Sequence, residues 1–315
     1  MARTDILRGP CKITFNSKTF YSKANVQVDY IEELIPINVS RMGSTPASHS
    51  VASVMARITF EPDGRLVSNA LSTILPFNAK VPGASVFGAD TTLTINTVDG
   101  YQYVFTAAAN TTKSQVVRLG IKETLFGPME FTAIYGVGKS PTDSDALYTR
   151  SEVSYPGDTG FAISDIVKQA YDLEWDGKSA PWDAFASRND ITLKIDTTLS
   201  QDTNQSHGIF DFVFEGMQVS ATFEPDGPTI DDALDEAKLQ GSGAALGRAI
   251  TSNGADLNIS GTGLYIRLYN AALINPKERH SAKDRRLGEV EFRASRGVDT
   301  GTMTPLIYVG ASAPA

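Results

Sequence analysis

The chain has 315 residues, 41% of them hydrophobic and 20% charged, which is enough for two cores of ordinary size and normal for a globular protein. A formal net charge of −8 argues against tight, general nucleic-acid binding, which needs cations to neutralise phosphates. Cys11 is the only cysteine, which excludes an internal disulfide and fits folding in a reducing cytosol. No apolar run approaches the ~20 residues of a membrane span.

The start, Met1 to Asp5, has no apolar stretch of the kind a secretory signal carries. Lys12–Phe15 and Val26–Tyr30 then alternate apolar and polar residues, which predicts half-buried strands. The polar stretch Ser40–Ser50 follows, read as a long hairpin loop. Phe60-Glu61-Pro62-Asp63-Gly64 reads as a strand end with turn chemistry. Leu66, Val67, Ala70, Leu71, Ile74 and Leu75 then form the apolar stripe of a helix. Leu93–Asn96 and Tyr101–Phe105 are strands around Asp99-Gly100, a short-hairpin signal. Ser151–Gly160, with Pro156-Gly157, reads as a linker.

The same order then returns. Ile191–Ile195 alternates, and Ser200–Gly208 is a second long polar loop. Phe223-Glu224-Pro225-Asp226-Gly227 repeats the earlier pentapeptide. Ile230, Ala233, Leu234 and Ala237 form a second helix stripe behind Thr229 and Asp232, a capping box with Asp in place of Glu. Other matches fall in order at offsets of 160 to 166: Asp5-Ile6 with Asp165-Ile166, Ile13–Lys18 with Leu173–Lys178, Gly88–Asp90 with Gly254–Asp256, and Gly127–Phe131 with Gly288–Phe292. A repeat this long is one domain duplicated rather than a solenoid. The expected fold is mainly β: two tandem β-sandwich or barrel domains, each with one flanking helix, at 1–150 and 161–315 with a linker at 151–160. Charge divides unevenly, +2 over residues 1–150 and −10 over 151–315.

No enzyme motif survives inspection. Gly241–Gly247 superficially resembles a phosphate loop, but it follows a helix and lacks the Gly-Lys-Ser/Thr ending. Asp231, Asp232, Asp235 and Glu236 read as a solvated acidic helix face. His49, His207 and His280 show no metal spacing, and Cys11 reads as a buried thiol. We therefore expect no catalytic, cofactor or metal site. Lys277, Arg279, Lys283, Arg285 and Arg286 form a basic segment in the acidic half. With no interleaved aromatic for base stacking, it reads as a protein contact in preference to nucleic acid, against a solvated loop as the bland alternative.

A duplicated, strand-rich module with one helix, a long polar hairpin loop and a closing Gly-x-x-Glu-Phe strand resembles the tail tube (major tail) proteins of long-tailed bacteriophages. It is similar in particular to the variety with two fused tube domains. Gly127-Pro128-Met129-Glu130-Phe131-Thr132-Ala133 and Gly288-Glu289-Val290-Glu291-Phe292-Arg293-Ala294 carry the likeness. The extended Ile274–Arg286 segment departs from it.

The resemblance implies a non-enzymatic virion protein, assembled in the host cytoplasm. Three chains would make a pseudo-six-fold ring, and rings would stack into a tube through which DNA passes. Implied partners are the chain itself and other tail proteins such as the tape measure, terminator and baseplate, with no membrane. The polar loops, with Arg41, Gly43, Ser44, His49, Asp202, Asn204 and His207, would touch an adjacent ring. The basic segment would touch a neighbouring subunit. Alternative readings are a tail terminator or baseplate hub of the same fold, or a carbohydrate-binding or adhesion β-sandwich.

Overall fold

A computed structural model describes residues 3–15, 17–38, 46–63, 69, 71, 78, 81–85, 92–105, 108–109, 114–119, 124–126, 129–134, 148–156, 171–204, 208–236, 255–261, 263–274, 276–280, 285–295 and 305–314. The chain is mainly β, as its period-two patterning predicts. The first half contributes β1 (Arg3–Leu7), β2 (Lys12–Phe15), β3 (Lys18–Tyr21), β4 (Val26–Asn38), β5 (Pro46–Phe60) and β6 (Leu93–Asn96). It continues with β7 (Tyr101–Phe105), β8 (Ala108–Ala109), β9 (Ser114–Leu119), β10 (Thr124–Phe126), β11 (Met129–Ile134) and β12 (Thr149–Glu152). The second half contributes β13 (Asp172–Trp175), β14 (Ala186–Ser187), β15 (Ile191–Asn204), β16 (Gly208–Phe223), β17 (Pro225–Asp226) and helix α1 (Ile230–Glu236). After these come β18 (Ala255–Gly261), β19 (Leu264–Ile274), β20 (Glu278–His280), β21 (Arg285–Leu287), β22 (Val290–Arg293) and β23 (Ile307–Gly310).

Two sheets belong to the first half, in the orders β1-β4-β5-β11-β8 and β12-β7-β6-β2-β3. A longer sheet runs β10-β9-β15-β16-β22-β19-β18-β13, with β23 on β19, so it takes strands from both halves. Two short two-stranded pairs, β14-β17 and the hairpin β20-β21, complete the set.

Ladders recur between the halves in matching register. On β5, Met129 faces Phe60 and Phe131 faces Ile58; on β16, Val290 faces Phe223 and Phe292 faces Ala221. The long hairpins match pair for pair, Gln27 with Thr59 against Thr192 with Thr222. Both hairpins slip register at the same two places, between Glu33 and Leu34 and between Ile37 and Asn38 in one, and between Thr198 and Leu199 and between Asp202 and Thr203 in the other. A bulge bends and twists the strand that carries it, so both ribbons curve alike. Ile13 faces Ile95 as Leu173 faces Ile259, and Arg150 faces Tyr103 as Val309 faces Ile266. Ser17 and Gly177 close matching turns with positive φ of 63° and 70°.

Alternation places one face of β2, β6, β13 and the start of β15, among others, in a core. In the first half Ile13, Phe15, Phe20, Val26, Val28, Ile58, Phe60, Leu93, Ile95 and Phe105 pack together. In the second, Trp175 stands edge-on to Trp182 at 5.5 Å and to Phe292 at 4.9 Å, and Phe223 stacks on Phe292 at 5.6 Å. Phe60 and Phe223, matched in sequence, are both buried. The indole Nε1–H of Trp175 donates to Ala255 O at 3.1 Å and Ala271 O at 3.2 Å, so its burial leaves no orphan donor.

Several expectations are modified. The polar stretches are not simple loops: residues 46–50 belong to β5, and residues 200–204 and 208 belong to β15 and β16. Serine- and threonine-rich sequence tolerates the extended ladder without the apolar alternation that would have marked it. Pro62 and Pro225 do not merely turn the chain. Each is bridged to a serine, Ser22 and Ser187, at matching positions. The capping box on α1 is present: Thr229 N–H donates to Asp232 Oδ2 at 2.8 Å and Asp232 N–H to Thr229 Oγ1 at 3.2 Å. In the first helical segment Asn69, Leu71 and Asn78 are helical; the rest of the expected stripe lies outside the described residues, as do Ala237 and Gly241–Gly247. Ser151 and Glu152, within the expected linker, are strand residues of β12.

Candidate assembly interface

The two halves meet along a strand edge. Residues of β9 pair antiparallel with β15, Leu119 facing Ile191 through Ser114 facing Asp196. The hairpin β9-β10 thereby extends the second half's sheet with strands from the first. Backbone groups on β15 that would otherwise form a bare edge are satisfied, and an edge of this length would be a template for uncontrolled pairing.

A second contact lies beside it. Asn78 is 5% exposed, and its amide grips β23 and the residue before it. Oδ1 accepts from Leu306 N–H at 2.6 Å and Ile307 N–H at 3.2 Å, while Nδ2 donates to Ile307 O. Leu71 packs in the second half's core. Further along, Gly83 N–H donates to Phe214 O at 2.8 Å and Phe214 N–H to Ala84 O at 2.9 Å, laying residues 83–85 against β16. All these groups come from the first half and end on the second. Such a joint aligns and rigidifies the two halves.

The matching edge in the first half is filled differently. Strand β1 pairs antiparallel with β4, Leu7 facing Val26 through Arg3 facing Tyr30. Since Val26 corresponds to Ile191 in the hairpin register, Leu7 holds on β4 the place that Leu119 holds on β15. The hold is light: Leu7 is buried, Ile6 is 58% exposed, and Thr4 Oγ1 donates to Asp29 Oδ1 at 2.6 Å.

The residues singled out from sequence fall in three groups. His49 pairs with Pro36 in the β4-β5 ribbon, and Asp202 and Asn204 pair with Asp211 and Gly208 in the β15-β16 ribbon. Arg41, Gly43, Ser44, His207 and Lys283 lie outside the described residues. Arg279, Arg285 and Arg286 lie on the hairpin β20-β21, where Arg279 faces Arg286 and His280 faces Arg285. Beside them Lys277 Nζ pairs with Glu289 Oε1 at 2.5 Å, an exposed contact within its own half, and this bond raises the Lys277 pKa. Among the described residues, the ribbon residues and the basic hairpin lie in different sheets.

Sequence reading missed the paired serines. Ser22 is fully buried; its hydroxyl accepts from Cys11 N–H at 2.8 Å and donates to Ala24 O at 2.6 Å. Ser187, 4% exposed, donates to Asn189 O at 2.7 Å. Both stand where the chain turns into the long hairpin opposite the proline of the repeated pentapeptide. A serine just before a bend is too common a pattern to signal this.

Titration chemistry is muted. Burial pushes the Cys11 thiol up to about 11, so it is a poor nucleophile at neutral pH. Desolvation raises Tyr103 against the opposing pull of Arg150, and raises Tyr269 against Arg267. Among the described residues no group of three His, Cys, Asp or Glu could hold a metal ion. The open clefts at Asp99–Tyr101 with Glu152–Ser154, and at Lys12, Thr94 and Gln102, hold no matched acid and base. Among the described residues no helix is long and apolar enough to cross a membrane. Comparison with family models and with curated protein sequences returns no match.

Proposed function

We propose that the chain is a structural subunit of a bacteriophage tail tube. Three chains form a pseudo-six-fold ring, rings stack, and DNA passes through the lumen without being chemically altered. On this reading the protein is not an enzyme, it resides in the virion tail, and its partners are its own copies and the tail proteins at either end of the tube. The resemblance in the sequence supports the family; one structural observation supports the assembly. Like halves are joined edge to edge, through β9 on β15, by a contact that adds strands to a sheet. A contact between different surfaces of like units is heterologous, so its repetition generates a ring when the rotation closes and a filament when it does not.

The long ribbons add a second support. Beyond Tyr30 and Met55, β4 and β5 pair only with each other among the described residues. A two-stranded ribbon gains little stability from its own pairing, and an adjacent ring supplies a surface that steadies it. Negative-stain microscopy of the purified protein tests the reading. Stacked rings with pseudo-six-fold averages are expected; dispersed single particles at high concentration refute it.

A further inference from the structure

We propose that a second copy of this chain docks its β20-β21 hairpin on the outer edge of β4, displacing β1 from that slot. The inference deepens the assembly reading and rests on it.

The donor is identified by register. In the hairpin β9-β10, Phe126 faces Val117 and Thr124 faces Leu119. In β20-β21, Leu287 faces Glu278 and Arg285 faces His280. Both hairpins lead into the matched strands β11 and β22, so β20 is the second half's counterpart of β9. Yet β9 is spent on β15, whereas among the described residues the outer edge of β20 carries no strand. One donor is used within the chain and its twin is left over.

The acceptor is identified in the same way. Strand β4 is the counterpart of β15, down to both bulges. Its outer edge is covered by β1, which is not the counterpart of β9 but sits in the register of β9. Transferring the β9-on-β15 register to the leftover pair sets His280 opposite Val26, Arg279 opposite Gln27, Glu278 opposite Val28 and Lys277 opposite Asp29. The last pairing is an ammonium against a carboxylate, which favours this strand in this register. Asp29 already accepts from Thr4 of β1 and from Gln27 Nε2 at 2.9 Å, and Lys277 already pairs with Glu289 at 2.5 Å, so the exchange replaces a hydroxyl donor to Asp29 by an ammonium that two carboxylates, Glu289 and Asp29, then share.

A matching lateral surface stands beside the acceptor. The ladders make Tyr148 the counterpart of Ile307, which Asn78 grips in the joint within the chain. Tyr148 packs against Tyr30 and Tyr103, each at 5.8 Å, and all three rings are half-buried. Tyrosines of this kind are enriched in protein interfaces. Strand β1 thus keeps the edge of β4 from pairing at random before a chain of the same kind arrives.

The test uses the full chain. Ile6 and Gln27 are cross-strand partners, so Ile6→Cys with Gln27→Cys staples β1 to β4 when oxidised. Assembly is followed by light scattering. The oxidised staple is expected to stay unassembled and to assemble at the wild-type rate once reduced, which also shows that the variant folds. Removing residues 2–8 is expected to speed assembly roughly tenfold, equivalent to about 1.4 kcal/mol less to displace. Gln27→Cys with Arg279→Cys is expected to yield a disulfide between chains only after assembly. If the oxidised staple assembles as fast as wild type, or no 27–279 disulfide forms between chains, the inference fails while the ring reading stands. If neither the wild type nor the shortened chain assembles, the ring reading fails and takes the inference with it.

Discussion

Strands β4 and β15 are the same element met twice, with one hairpin register and one pair of bulges, but their outer edges are covered from different sources. On β15 the cover is β9, a strand from the other half, supported by the buried Asn78 and by residues 83–85. On β4 the cover is β1, a five-residue strand in which, among the described side chains, Leu7 is buried and Ile6 exposed. The difference teaches that equivalent slots on matched strands can be filled by non-equivalent strands. The β9 joint is accompanied by a core residue, Leu71, and a buried amide, Asn78. The β1 cover is held by its ladder, by the buried Leu7 and by the Thr4–Asp29 hydrogen bond.

The comparison can be sharpened by cutting the two cores at matched places. Phe15 and Trp175 are counterparts opposite Leu93 and Leu257, and both are buried. Replacing either by alanine should cost about 3–5 kcal/mol, read from chemical denaturation. Trp175→Ala should exceed Phe15→Ala by about 1 kcal/mol, because its indole N–H bonds two backbone carbonyls. Equal losses would mean that those bonds contribute nothing.

Titration separates the halves next. Cys11 precedes β2 where Tyr171 precedes β13, and both are buried. The folded thiol sits at about 11, above its ordinary value near 9.0, so the folded state holds its proton where the unfolded state has lost it. Its stabilising contribution is complete below pH 9 and is lost as pH rises from 9 to 11, by at most about 1.4 kcal/mol per pH unit. Cys11→Ala should flatten that part of the stability profile. Iodoacetamide should label native Cys11 far more slowly than the unfolded chain at pH 8.

Matched serines give a smaller effect. Ser22→Ala removes the acceptor for the buried Cys11 N–H and should cost about 1–3 kcal/mol. Ser187→Ala breaks a hydroxyl-to-carbonyl bond and should cost about 0.5–1.5 kcal/mol. Smallest is Thr229→Ala at the start of α1, which removes the capping box for about 1 kcal/mol and should leave the first half untouched in hydrogen exchange.

Much of this fold was legible in the residues. Alternation marked β2, the start of β4, β6, β7 and the start of β15, and the i, i+3, i+4 stripe with Thr229 and Asp232 marked α1. The ends of the long hairpins were not legible. Residues 46–50 and 200–204 form ladders without apolar alternation, so periodicity could not tell strand from loop. The joint was hidden for a different reason. The partner of Ser114–Leu119 lies 72 to 82 residues further along, Leu119 facing Ile191 and Ser114 facing Asp196, a separation that no local pattern encodes. Asn78 was equally silent, since its role depends on which backbone lies beside it. The matched ladders were foreshadowed by the repeated pentapeptide and the ordered matches around it.

The account stands on like halves alternating around a closed ring, each half covering the sheet edge of the next. Native mass spectrometry of the smallest closed species measures this directly. The prediction is a mass of three chains of 33.8 kDa, with larger species in steps of three as rings stack. Monomers at every concentration, or a closed species of any other number of chains, would contradict it.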